Sequence, residues 1–125
     1  MNQFKVLVVD DQQDFRRVVI DFLNRLPSVD IVGEAGDGDE AIQKTETLSP
    51  DVILMDVAMP RKNGLEATRI IKQRWPDIKV MIQTGYDDPR YRIQALEAKA
   101  DGFILKTSLK PALEAAFGVI KPARI

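Results

Sequence analysis

The sequence predicts an α/β fold, a parallel sheet with helices on both faces. Three observations lead there. Short apolar runs at Phe4–Val9, Val52–Met55, Val80–Ile82 and Phe103–Leu105 alternate with segments of helical character, and strand–helix alternation implies parallel pairing through crossover helices. The first run contains Val6–Val9, β-branched-rich and without polar alternation, as befits a strand covered on both faces. Finally, Asp10, Asp11, Asp56, Thr84 and Lys106 stand at or just past the ends of these runs. In an open α/β sheet ligands bind outside the carboxyl ends of the strands, so these side chains are aimed at one crevice.

The elements follow in order. After the first strand a helix is expected from about Gln12 to Leu26, because Phe15, Val18, Val19, Phe22 and Leu26 recur at helical spacing and Pro27-Ser28 closes the segment. Asp30–Ala35 is a weaker second strand. Asp37 with Glu40 three residues later resembles a capping box before a helix running to about Leu48, which Ser49-Pro50 ends. Asp51–Met55 is the third strand, followed by a loop over Asp56–Asn63. Asn63 and Glu66 can cap a third helix that stops near Trp75-Pro76. Ile78–Ile82 is the fourth strand, and Asp88 before Pro89 starts a fourth helix. Gly102–Leu105 is the fifth strand. A last helix from about Leu109 carries Leu109, Leu113, Ala116, Phe117 and Ile120 on one stripe. The pattern is (βα)₅ over residues 1–125, one domain without repeats or linkers.

Composition narrows the function. With 45% hydrophobic and 30% charged residues the chain is ordinary for a globular domain. It has no cysteine and no histidine, which excludes disulfides, zinc–thiolate sites, thiol nucleophiles, imidazole bases and Ser-His triads within this chain. The longest apolar stretch near the start is far too short for a signal peptide or membrane span, so an intracellular, cytoplasmic setting without membrane contact is expected. A formal charge of −1 gives no basic footprint for nucleic acid; any control of a gene would pass through another domain or partner.

Each strand-end residue has a plain structural reading beside the chemical one. Asp10 or Asp11 could cap the first helix, but two adjacent carboxylates repel, and a bound cation such as Mg²⁺, which favours oxygen ligands, removes that penalty. Asp56 could be an ordinary loop aspartate or a nucleophile, since carboxylates form aspartyl-phosphates. Thr84-Gly85 could be a serine/threonine turn, with Gly85 leaving room for a ligand oxygen beside the hydroxyl. Lys106 could be a solvated lysine. Their joint appearance at four strand ends is the stronger signal. A dinucleotide site would need a glycine-rich turn where Asp10-Asp11-Gln12-Gln13 stands, and haloacid-dehalogenase-like phosphatases would need Asp-x-Asp there.

Asp10-Asp11, Asp56 with Met59-Pro60 and Gly64, Thr84-Gly85, Ala100-Asp101-Gly102-Phe103 and Lys106 together resemble the receiver domain of two-component response regulators, over essentially the whole chain. The resemblance implies a flavodoxin-like strand order 2-1-3-4-5. It also implies that Asp56 accepts a phosphoryl group from a phosphohistidine on a sensor kinase or phosphotransfer protein, or from a small phosphodonor. Asp11, Asp56 and the backbone carbonyl of Ala58 would hold Mg²⁺, with Asp10 acting through water. Lys106 would pair with a phosphoryl oxygen, and Thr84 and Phe103 would form a switch pair. The readout would lie on the face of the fourth helix, fifth strand and fifth helix, where Arg90, Arg92, Lys99 and Lys110 would meet an effector or a second copy in a homodimer. Such a protein is a switch rather than a turnover enzyme, assisting only its own phosphorylation and dephosphorylation. The alternative is a degenerate receiver working as a phosphorylation-independent interaction module, which would have no need of the acidic pair or the lysine.

Two departures from the family pattern carry structural expectations. Thr107 replaces the usual proline after the lysine, so a trans or strained loop is expected, a cis bond before a non-proline residue costing roughly 2.5–4 kcal/mol. Lys99 stands where glycine is usual, and a left-handed conformation would cost it about 1–2 kcal/mol. A different helix cap is expected there.

Overall fold

The computed structural model describes residues 3–57, 59 and 62–118. Its elements are β1 (Phe4–Val9), α1 (Gln13–Leu23), β2 (Val29–Ala35), α2 (Gly38–Leu48), β3 (Val52–Asp56), α3 (Gly64–Arg74), β4 (Lys79–Thr84), α4 (Pro89–Glu97), β5 (Gly102–Leu105) and α5 (Leu109–Phe117). All strand pairings are parallel, in the order β2-β1-β3-β4-β5. The expected order 2-1-3-4-5 is therefore the observed one. Ala58, Pro60 and Ile120 lie outside the described residues.

Val6–Val9 are all fully buried, because each face of β1 is covered. On one face Val6, Val8, Val52, Leu54 and Ile104 pack against α1 and α5 through Val19, Leu23 and Leu113. On the other, Leu7, Val9, Ile53, Met55 and Ile82 pack against α2, α3 and α4 through Ala41, Ile71 and Ala95. Successive strand side chains point to opposite faces, so this division fixes where every strand-end residue points.

The boundaries differ in instructive ways. α1 ends at Leu23, short of the expected Leu26. Arg25 and Leu26 close into tighter turns on Phe22 and Leu23, and Leu26 remains buried. Its apolar spacing was thus core placement rather than helix. Asp37 accepts from the Glu40 amide at 2.8 Å, while Glu40 reaches back to the Gly36 amide at 2.7 Å, one residue earlier than a strict capping box. Asn63 and Asp88 cap α3 and α4 as expected.

The expectation of a different cap at Lys99 is overturned. Lys99 adopts φ 71°, its amide donates to Leu96, and the Ala100 amide donates to Ala95. This is the Schellman arrangement. Two carbonyls satisfied at the end of α4 outweigh the left-handed penalty. The described residues contain no cis peptide bond, so the bond from Lys106 to Thr107 is trans, and the chain continues directly into a 3₁₀ turn at Lys106–Ser108.

Candidate functional site

β1 ends at Val9 beside Met55 of β3, which brings Asp10 next to Asp56, the last residue of β3. Both follow residues buried toward α1 and α5 by two positions, Val8 and Leu54, so both side chains lie on that face. Asp10 is fully buried and Asp56 is 5% exposed, whereas Asp11 is exposed at the rim. One carboxylate oxygen from each of the three lies within 4.8 Å of the others.

Lys106 closes the cluster from the far side of the sheet. Its ammonium lies 3.0 Å from Asp10 Oδ2 and 3.3 Å from Asp56 Oδ1. Beneath it the Phe15 ring of α1 has its centroid 4.4 Å from Nζ, a cation–π contact that fixes the lysine head. Phe15 was legible in the sequence only as a core residue of α1. Finding its second role required knowing which helix packs under the fifth strand's end.

The three carboxylates are not equivalent. Both oxygens of Asp10 are engaged: Oδ1 accepts from the Gln12 amide at 2.9 Å and Oδ2 from Lys106. Asp10 does not cap α1, whose N-cap is Gln12 without a side-chain cap bond. Its bond to the Gln12 amide is an Asx turn just before the helix, and its other oxygen orients the lysine. Asp56 Oδ1 accepts from the Val57 amide at 3.0 Å. Burial, reinforced by the neighbouring charge of Asp10, pushes the Asp56 carboxyl up to about 6, with Lys106 opposing. A like-charge cluster of hard oxygen donors, two of them buried and the third at the rim, is chemically matched to a small divalent cation. The carbonyl of Ala58, expected as a further ligand, lies outside the described residues.

Thr84 is brought to the same edge but faces the other way. It is buried, and its hydroxyl accepts from the Tyr86 amide at 3.1 Å, the serine/threonine turn weighed above. A Cβ on Gly85 would meet no atom within 4 Å, so the space beside the hydroxyl is open. Phe103 is half-buried against the α2–α3–α4 side of the core. Arg92 of α4 lies over its ring, 4.6 Å from the centroid, and sits 3.6 Å from Asp87. Arg92, expected as a partner contact, is thus also tied to the ring expected to move.

Gly64, the first residue of α3, positions Asp56 from behind. Its amide donates to Val57, and an added Cβ would fall 1.8 Å from the Asp56 carbonyl oxygen. Only a residue without a side chain allows this approach.

A family profile described as "Response regulator receiver domain" matches residues 6–117. The transcriptional regulatory protein DegU of Brevibacillus brevis is 40% identical over 119 residues, covering 95% of this chain and 50% of that protein. A protein-glutamate methylesterase/protein-glutamine glutaminase of Pyrococcus horikoshii is 46% identical over 110 residues, covering 85% of this chain and 29% of its own length. This chain therefore spans about half or less of these relatives. Among solved structures, the signal receiver domain of NarL from Mycobacterium tuberculosis aligns with a TM-score of 0.85 at 33% identity, over 94% of this chain and 99% of that one. The response regulator domain of Thermotoga maritima CheB aligns with a TM-score of 0.85 at 34% identity, over 93% and 94% of the two chains.

Proposed function

The chain belongs to the response regulator receiver-domain family, and on that premise we propose that it is a phosphorylation-activated switch whose phosphoacceptor is Asp56. The observation that carries this reading is the buried Asp56 carboxylate, held between the Lys106 ammonium at 3.3 Å and the Asp10–Asp11 pair. The donor is a phosphohistidine of a sensor kinase or phosphotransfer protein. This chain has no histidine of its own and needs none.

In the transfer an Asp56 oxygen attacks phosphorus, the P–N bond to the donor imidazole breaks, and a P–O bond to Asp56 forms. Phosphoryl transfer is chiefly positioning and charge neutralisation. Asp11 and Asp56, with the Ala58 carbonyl, would hold Mg²⁺, and Asp10, whose oxygens are already engaged, would act through water. The ion supplies neutralisation of charge on the transferring group. Lys106, fixed by Phe15 and Asp10, supplies a second positive charge to a phosphoryl oxygen. The domain works as a cytoplasmic switch that acts on its own carboxylate rather than as a turnover enzyme. The complete acid–lysine set argues against a degenerate interaction module.

The test is incubation with Mg²⁺ and acetyl phosphate, read by intact mass. One phosphoryl group should be added, none with a chelator present, and none in Asp56→Asn. Asp11→Ala should slow the reaction more than Asp10→Ala at matched Mg²⁺. Stable labelling of the Asn variant removes Asp56 from its role.

The readout is assigned to the α4–β5–α5 face. Ile93 and Leu96 of α4 are 55% and 75% exposed, and Tyr86 before it is 63% exposed, which suits a second copy or an effector of mixed apolar and charged character. A phosphoryl group brings about −1.5 to −2 charge and three acceptor oxygens. To reach one, the Thr84 hydroxyl gives up the Tyr86 amide, and Phe103 follows into the vacated space. Because Arg92 covers the Phe103 ring, that movement is coupled to α4. The change is a shift between two packings, driven by differential binding of the phosphoryl group. Thr84→Ala should leave Asp56 phosphorylatable while reducing the amide chemical-shift changes along α4 and β5 by more than half. Full wild-type changes in this variant place the switch elsewhere.

A further inference from the structure

Gln83 is fully buried, and neither its amide nitrogen nor its amide oxygen has a hydrogen-bond partner among the described residues. No other buried side-chain nitrogen or oxygen among those residues is in this condition. An unsatisfied carboxamide in a core is costly and calls for a physical reason.

Its place in the sheet supplies one. Gln83 pairs with Asp56 on one side and Ile104 on the other. Two residues earlier on β4, Met81 packs against the core cluster of the α1–α5 face, to which Val8, Leu54 and Ile104 belong. By strand alternation Gln83 points to that same face, as Asp10 and Asp56 do. These side chains therefore form one row along the carboxyl edge: Asp10, Asp56, Gln83, Ile104. Lys106 follows β5 yet reaches Asp56 and Asp10. In the order β1-β3-β4-β5 its stem must cross β4, the strand that carries Gln83.

We propose that Gln83 is a positioning residue of the phosphoryl site, its carboxamide held in reserve for the phosphorylated state. This rests on the reading of Asp56 as phosphoacceptor. Phosphorylation turns Asp56 into an acyl phosphate, which removes one of the two carboxylate charges beside Lys106 and brings new acceptor oxygens beside Gln83. The Gln83 N–H donates to an oxygen of the acyl phosphate, and its carbonyl oxygen accepts from Lys106 as the ammonium turns to the phosphoryl group. Both idle atoms acquire partners only when the site is loaded.

The test uses beryllofluoride with Mg²⁺ as the phosphoryl probe, titrated into the wild-type protein and Gln83→Met, which keeps length and removes the amide. Wild type should bind, and the variant should need about tenfold more beryllofluoride for half-saturation. The free variant should nonetheless melt at a higher temperature, since a buried unpaired amide has gone. A purely structural glutamine would move stability without moving the affinity for the probe. In the wild type, the Gln83 side-chain amide protons should shift and exchange more slowly on loading, a readout that stands even if the variant folds poorly. Equal half-saturation in the two proteins, or unmoved Gln83 amide resonances in the loaded wild type, overturns the assignment. A wild-type protein that does not bind the probe at all overturns it together with the phosphoacceptor reading.

Discussion

Gly64→Ala should lower stability to unfolding by about 2–4 kcal/mol and slow phosphorylation of Asp56 by about a hundredfold. The added methyl carbon would lie 1.8 Å from the Asp56 carbonyl oxygen, 2.8 Å from its carbonyl carbon and 2.9 Å from Met55 Cγ. Two of these three atoms belong to the backbone at the end of a central strand, so no side-chain rotation relieves the overlap. Overpacking of a well-packed site typically costs about 1–3 kcal/mol and occasionally more. Either α3 must move away, losing the Gly64 amide bond to Val57, or the end of β3 must move, carrying Asp56 out of line with Lys106. A displacement of about 1 Å at a reacting group is worth on the order of a hundredfold in rate. Gly85→Ala is the internal control: a Cβ there meets nothing within 4 Å, and stability should change by less than about 0.5 kcal/mol. Urea unfolding of the three proteins, with phosphorylation followed by mass, checks both halves. A Gly64→Ala protein as stable and as reactive as wild type would show that the close approach is dispensable.

Much of this molecule was legible in the sequence, for identifiable reasons. The strands could be read because both faces of the sheet are covered, leaving apolar runs that end abruptly in polar residues. Asp10, Asp56 and Lys106 could be read as one site because parallel pairing puts every strand's carboxyl end on the same edge. What escaped was whatever depends on register and packing rather than spacing. Gln83 looks in sequence like a polar residue near a strand end, and only its pairing with Asp56 makes it notable. Phe15 and Arg92 were assigned as core and surface, yet each lies against a residue of the site, one from α1 and one from α4. The Lys99 cap was misjudged for a related reason. A residue's intrinsic dislike of left-handed backbone is readable from its type, but the two hydrogen bonds that overcome it belong to the whole end of α4.

The Asp56 carboxylate should itself be a source of instability in the metal-free protein, and removing its charge should stabilise the fold at neutral pH by up to about 3 kcal/mol. Burial, followed by the charge of Asp10, raises its carboxyl from 3.8 to about 6, although Lys106 pulls the other way. Because the folded value lies above the unfolded one, the native state binds more protons than the unfolded chain between about pH 4 and pH 6. Stability therefore falls as pH rises through that window, and the full penalty remains above it. At about 1.36 kcal/mol per pH unit, a rise of this size corresponds to about 3 kcal/mol, taken as an upper bound because Asp56 interacts strongly with the charges packed against it. Comparing wild type with Asp56→Asn cancels the titrating groups remote from the site and leaves the contribution of this carboxylate together with its interactions with Asp10, Asp11 and Lys106. At pH 4, where Asp56 is neutral in the fold, the two proteins should be nearly equal in stability. By pH 7 the Asn variant should be the more stable, with the gap opening between pH 4 and 6. Mg²⁺ should narrow that gap at pH 7 by stabilising only the protein that keeps the carboxylate, as expected for a ligand of the native state. Denaturant titrations of both proteins across pH 4–8, with and without Mg²⁺, measure it. A stability difference independent of pH would mean that the Asp56 charge is already compensated by Lys106, and that the site's demand for a cation does not come from this carboxylate.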